Sequence, residues 1–162
     1  MLTRRGYTHC ETDDVISLWV KDDDEICVFV ETFPKITVNV FKEAIVLLTA
    51  KKKTHCILIY IDDVTTPVKE ICKHQNQNPH VELFRRDELE IDLLAYMFQP
   101  KFELLSQEEV NRLEKRYGSV GFPIFKKSDP IVRYFNWPIN SIIKIVPCNP
   151  DIKISFRRVG KN

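Results

Sequence analysis

The stretch Asp129-Pro130-Ile131-Val132-Arg133-Tyr134-Phe135 is the most informative in the chain. A residue before proline is pushed out of the helical region, so Asp129 is extended or caps the turn after it. Pro130 then starts a short helical turn that carries Val132, Tyr134 and Phe135 inward. Arg133 is left for a carboxylate or a backbone partner. Trp137 comes two residues later, and with Phe135 it is a candidate for either a core position or an interface anchor.

Reading outward, Ser106-Gln107-Glu108-Glu109 has the pattern of a capping box ahead of a helix. Val110, Leu113 and Tyr117 share a face of that helix, and Gly118 is its expected stop. Ile142–Val146 and Ile152–Phe156 read as strands on either side of Cys148-Asn149-Pro150-Asp151, whose residues favour a tight turn. Residues 95–162 are therefore expected to form a small α+β domain.

Before Pro100 the pattern changes. Ile26–Val30 reads as a strand with a turn at Pro34, and Ile36 and Val38 alternate as a strand would. Phe41, Ala44, Ile45 and Leu48 mark the apolar face of a helix. The run Cys56–Ile61 predicts a strand buried on both faces. Thr65-Thr66-Pro67 opens a further helix, with Thr66 as N-cap, Pro67 in the first turn and Val68, Ile71 and Cys72 on one side. Val81–Phe84 and Leu89–Leu93 read as short extended segments. This predicts an α/β domain over residues 1–94, a small mixed sheet with flanking helices.

The 162 residues suffice for one ordinary domain or two small ones, and at 44% apolar and 29% charged they do not describe a disordered chain. Net charge is +1, but residues 1–90 hold 12 Lys or Arg against 16 Asp or Glu, whereas residues 91–162 hold 12 against 7. The second part is thus basic, and a small basic domain calls for an acidic neighbour or nucleic acid. No apolar run approaches the roughly 20 residues of a membrane span, and the start Met1–Arg5 is not that of a signal peptide. Of the five cysteines none forms a CxxC pair. Three lie near histidines, as His9-Cys10, His55-Cys56 and Cys72-Lys73-His74, but free thiols in a reducing compartment are expected rather than a zinc site. Lys51-Lys52-Lys53 reads as a solvated helix end, and Arg85-Arg86 beside Asp87-Glu88 as a salt-bridged surface.

The Asp129–Phe135 string closely resembles the Asp-Pro-x-x-Arg-Tyr-Phe signature of the fifth subunit shared by the eukaryotic nuclear RNA polymerases, which is similar to a small subunit of archaeal RNA polymerase. Leu105-Ser106-Gln107-Glu108-Glu109-Val110 is similar to that family's Leu/Met-Thr-x-Glu-Glu-Val helix start. Arg116-Tyr117 resembles its Arg-Tyr helix end, Ile142–Val146 its Val-Val-Lys-Ile-Ile strand, and Ser155–Val159 its closing Thr-Tyr-Arg-Leu-Val. Thr65-Thr66-Pro67 stands where the family has its Thr-Pro helix start. There are departures. Tyr96 and Phe102 occupy the places of two family histidines, and Pro147–Pro150 replaces an Arg-Pro-Ser-Glu loop.

The resemblance implies a non-catalytic core subunit of DNA-directed RNA polymerase, shared among nuclear enzymes, with no cofactor and no metal. The first module would be a jaw along downstream duplex DNA, shortened at its N-terminus, with Thr65, Thr66 and Pro67 facing the DNA weakly and within the complex. The second would be an assembly domain docking on the largest subunit. Asp129, Pro130, Arg133, Tyr134, Phe135 and Trp137 would organise that docking, among the other core subunits and away from any membrane. The expected compartment is the nucleus (the nucleolus in polymerase I), or the cytoplasm for a viral chain. Two other classes compete. One is a free-standing transcription regulator. The other is a metal-dependent nuclease using Asp62-Asp63, which lacks the acidic-x-Lys partner on a neighbouring strand.

Overall fold

The computed structural model describes residues 1–73, 78–96, 98–117 and 121–161. The expected stop at Gly118 and the histidine at 74 lie outside them. The chain divides into two compact units, residues 1–91 and 92–162. Both are mixed α/β structures of sheet with flanking helices.

In chain order the first unit runs α1 (Leu2–Arg5), β1 (Thr8–Thr12), β2 (Ile16–Lys21), β3 (Asp24–Phe29), β4 (Phe33–Ile36), α2 (Val38–Ala50), β5 (His55–Val64), α3 (Thr66–Lys73), β6 (His80–Arg85) and α4 (Arg86–Glu90). β1, β2 and β3 form an antiparallel meander. β5 is parallel to three strands: β3 at Cys56 and Ile57, β4 from Tyr60 to Val64, and β6 from His55 to Tyr60. β6 takes one edge of β5, so β3 and β4 succeed one another along the other.

The prediction for β5 holds over Cys56–Leu58, where successive residues point to opposite faces and both faces are covered, whereas Ile61 at the end of the expected run is exposed. Cys56 and Leu58 join Phe41, Ala44, Leu48 and Val68 from α2 and α3 in one core, while Ile57 joins Leu2, Tyr7, Ile26 and Phe84 in another. The helical stripe of α2 is buried as expected, with Ile45 at its margin.

Several boundaries differ from the sequence reading. Val38 does not continue a strand; Thr37 accepts a hydrogen bond from the Val40 N–H and caps α2. Pro34 lies inside edge strand β4, at a register shift between Phe33 and Lys35, a place where a missing N–H costs no ladder bond. Leu89 is helical, in α4, whose first turn is held by the Arg85 N–H donating to Glu88 Oε2 at 3.2 Å. β1 and β2 extend the sheet beyond the expected strands.

The second unit runs β7 (Lys101–Leu104), α5 (Gln107–Tyr117), β8 (Ile124–Lys126), α6 (Pro130–Phe135), β9 (Ile142–Val146) and β10 (Ser155–Gly160), its sheet ordered β7-β9-β10-β8. β9 is antiparallel to β7 and β10, while β8 is parallel to β10. The capping box at α5 forms as expected: Glu109 N–H donates to Ser106 Oγ at 3.3 Å and Ser106 N–H to Glu109 Oε2 at 2.8 Å. β10 begins three residues later than expected, leaving Ile152 and Ile154 exposed in the loop after β9. Val132, Trp137, Phe125, Ile143 and Val159 form the core, and Leu93 and Leu94 pack against it from before the 94/95 division read in the sequence.

Candidate functional site

Two places carry the expected site residues, one in each unit.

In the second unit Asp129 is extended, with φ −60° and ψ 135°, and its Oδ1 accepts from the Ile131 N–H at 3.0 Å. Pro130 occupies the first helical position, where its missing N–H is not needed. Asn136 ends α6 in the left-handed region, and Trp137 N–H returns to Val132 O at 3.2 Å. Lys127 Nζ bridges this exit, donating to Asn136 Oδ1 at 3.0 Å and to Trp137 O at 2.7 Å. Phe135 stacks on Trp137 with ring centroids 4.6 Å apart, and Tyr134 meets Phe135 edge-on. Tyr134 and Trp137 are each only 6% exposed. Their rings therefore shape the turn from inside, while Pro130 is exposed and Arg133 and Phe135 are half-buried. Phe102 packs against Phe125 and Trp137, extending this aromatic core.

In the first unit the Thr65–Pro67 corner leaves the end of β5. Helix α3 starts at Thr66, one residue earlier than the sequence suggests. Thr65 thus takes the cap position, and its carbonyl accepts from Lys69 N–H at 3.0 Å. Thr65 N–H donates to Ile36 O at 3.1 Å, tying the corner to the end of β4. Thr66 and Pro67 are exposed, whereas Thr65 Oγ1 is buried and finds no hydrogen-bond partner among the described residues. The N-terminal end of an eight-residue helix presents free N–H groups and a positive dipole end to solvent. Asp62 and Asp63 stand immediately before it. Asp63 bonds Lys69 at 2.7 Å, which holds its carboxyl below the usual range.

The nuclease reading of that pair finds no support in the geometry. Asp62 and Asp63 are not a turn; both lie within β5, which β4 prolongs through the Lys35–Asp63 register. As neighbours on a strand they project to opposite faces and cannot converge on one ion. Lys51 and Lys53 are engaged in ion pairs with Asp13 and Glu25, and Arg85 and Arg86 with Asp87 and Glu90, as their surface readings imply.

A third cluster has no combined signal in the sequence. Glu82, buried on β6, accepts from Arg5 through both carboxylate oxygens at 2.8 Å, and its Oε1 also lies 2.8 Å from His55 Nε2. The His80 ring meets His55 edge-on with centroids 4.7 Å apart. His55, His80 and Glu82 bring ligand atoms within 4.8 Å of one another, yet the Arg5 guanidinium already grips the carboxylate. A dication there would be placed against a fixed positive charge, so the cluster is a structural charge network. Its sequence signal is one acid inside the apolar run Val81-Glu82-Leu83-Phe84. All five cysteines are free. Burial pushes the Cys27 thiol up, and that of Cys72 to about 11.

The chain thus joins in sequence a mixed-sheet α/β unit and a basic α+β unit built on the Asp129–Phe135 turn. Residues 91–153 match RNA polymerase Rpb5, C-terminal domain. Over 116 residues the chain is 34% identical to a protein of Invertebrate iridescent virus 6 that carries the name putative DNA-directed RNA polymerase subunit 454R, covering 64% of this chain and 61% of that one. It is 30% identical over 139 residues to DNA-directed RNA polymerase subunit 5 of Acanthamoeba polyphaga mimivirus, covering 84% and 65%. With DNA-directed RNA polymerase subunit 5-like protein 1 of Arabidopsis thaliana it shares 23% over 125 residues, covering 75% and 60%. The chain spans less than two thirds of each of these relatives. The chain is thus similar to the Rpb5-like polymerase subunits, most specifically over residues 91–153.

Proposed function

We propose that the chain is a non-catalytic core subunit of a DNA-directed RNA polymerase. The observation that carries this is the coincidence of the capped Asp129–Phe135 turn with the region matching the Rpb5 C-terminal domain. The second unit acts as the assembly domain. Its turn, fixed by Asp129, Pro130, Tyr134, Phe135 and Trp137, organises the face that docks on the largest subunit, with Arg133 at its surface. The first unit is the jaw, and the exposed Thr66 and Pro67 at the α3 start face downstream duplex DNA. That contact is weak in isolation, because residues 1–90 are net acidic, and works only inside the assembled enzyme. The chain acts where its polymerase transcribes: the nucleus for a nuclear enzyme, the cytoplasm for a viral one.

Affinity purification of the tagged chain from its own cells at moderate salt tests this. Large polymerase subunits should be recovered in near-equal amounts, and a chain recovered alone would overturn the reading. Within that experiment Arg133→Ala should lower incorporation into polymerase. Undiminished incorporation would remove the docking role of Arg133.

A further inference from the structure

Two departures from the resembling family meet at one end of the second unit's sheet. Gln99 N–H donates to Tyr96 O at 2.9 Å, closing the turn that leads into β7. Gln99 O in turn accepts from Cys148 Sγ at 3.0 Å, which ties that turn to the loop between β9 and β10. The register pairs Lys101 with Val146 and Ser155 with Ile145, so the start of β7, the end of β9 and the approach to β10 lie side by side. This end is apolar and open. Tyr96 and Phe98 are each 66% exposed with ring centroids 5.8 Å apart, and Ile152 and Ile154 are 58% and 50% exposed. None of the four belongs to the core cluster, which is complete without them.

We propose that this end is a docking surface for an acidic segment bearing apolar side chains on a larger subunit of the same polymerase. The inference rests on the polymerase reading above. Exposed aromatic rings beside aliphatic ones cost solvation until something covers them, and such groups anchor protein interfaces. Charge selects the occupant. Exposed Lys101 and Lys153 flank the apolar groups against Asp151 alone in the loop, within a region holding 12 Lys or Arg and 7 Asp or Glu. A positive rim around an apolar centre fits a segment of opposite pattern and steers its approach. A second copy of this chain would carry the same positive rim. A phosphate backbone would leave the isoleucines uncovered.

The test co-expresses the full chain with the largest polymerase subunit from the same genome and measures co-purification. Ile152→Lys with Ile154→Lys should lower recovery of the large subunit at least tenfold, with the melting temperature of the free chain unchanged. Tyr96→Ser with Phe98→Ser should do the same from the other segment, and serves if the first pair fails to fold. Lys101→Glu with Lys153→Glu should weaken binding at low salt, and the difference should shrink as salt is raised. Wild-type recovery by both apolar variants would overturn the surface while leaving the polymerase reading intact. No co-purification even by the wild type would overturn both. Sedimentation of the free chain as a dimer that Ile152→Lys converts to monomer would assign the surface to a second copy instead.

Discussion

Arg5 and Glu82, 77 residues apart in the chain, meet in a buried two-pronged ion pair that fastens α1 to the outermost parallel strand of the first sheet. Lys21 Nζ adds a hydrogen bond to Arg5 O at 2.9 Å. Charges taken out of water this way repay their desolvation only while both remain. Arg5→Ala would leave the buried Glu82 carboxylate without its guanidinium partner, and should destabilise the first unit by about 3 kcal/mol or more. Urea unfolding followed by Trp19 fluorescence, in a Trp137→Phe background, measures it.

The same pair sets a pH dependence. Burial alone would raise the Glu82 carboxyl, but hydrogen bonds from His55 and Arg5 more than offset it and hold it at about 2, against an ordinary 4.5. A depressed folded value means that the folded state holds the charged form more tightly than the unfolded chain does. The resulting stability is full above 4.5 and is lost as pH falls toward 2. The first unit should therefore lose stability between pH 4.5 and 2 more steeply in the wild type than in Glu82→Gln. Parallel acid-unfolding curves for the two would refute this account.

At the signature turn, the Asp129 side chain makes one capping bond to Ile131 N–H. Asp129→Ala should cost the second unit about 1 kcal/mol, whereas Asp129→Asn should cost only a few tenths, since asparagine caps about as well. Trp137 fluorescence in a Trp19→Phe background reads the unit in which the cap sits. Equal losses for both variants would show that the carboxylate acts through its charge and not as a cap.

How far each element can be read in the sequence depends on how strongly it announces itself. The Asp129–Phe135 turn and the Ser106–Glu109 box are legible because proline, cap and spacing act within a few residues. β5 is legible because it is buried on both faces. β1 gives no signal, since all five of its residues are exposed and no alternation survives. β7 and β8 have four and three residues, too few for a period. The Ile36-Thr37-Val38 alternation misleads because Thr37 is a cap between strand and helix, a distinction settled by the Val40 N–H and not by hydrophobicity. The Arg5–Glu82 pair is legible only from one side: a buried acid demands a partner, but nothing local says that it stands at residue 5.

Gly160 ends β10 against β8, and a methyl group there would sit 2.7 Å from Ile124 Cγ2. That atom branches at Cβ and cannot swing away freely. Gly160→Ala should therefore destabilise the second unit by about 1–3 kcal/mol, the usual cost of overpacking. Adding Ile124→Ala removes the obstruction and should recover more than half of the loss. Ile124 is itself 63% exposed, so its truncation alone should cost little. Failure of the double variant to recover would place the strain in the backbone of β10.

The DNA-facing role proposed for the α3 start can be tested separately from folding and assembly. Thr66 is exposed at the first position of the helix, where a carboxylate is favoured by the helix dipole by about 0.3–1 kcal/mol. Thr66→Glu should thus leave the first unit at least as stable and its incorporation into polymerase unchanged. A negative charge turned toward downstream phosphates should nevertheless lower transcription by the purified enzyme, most clearly at low salt where repulsion is least screened. Thr66→Ser, which keeps size and charge close to the wild type, should transcribe normally. Full activity of the glutamate variant at low salt would remove DNA from this corner. Loss of incorporation would instead reassign the corner to a contact with a neighbouring subunit.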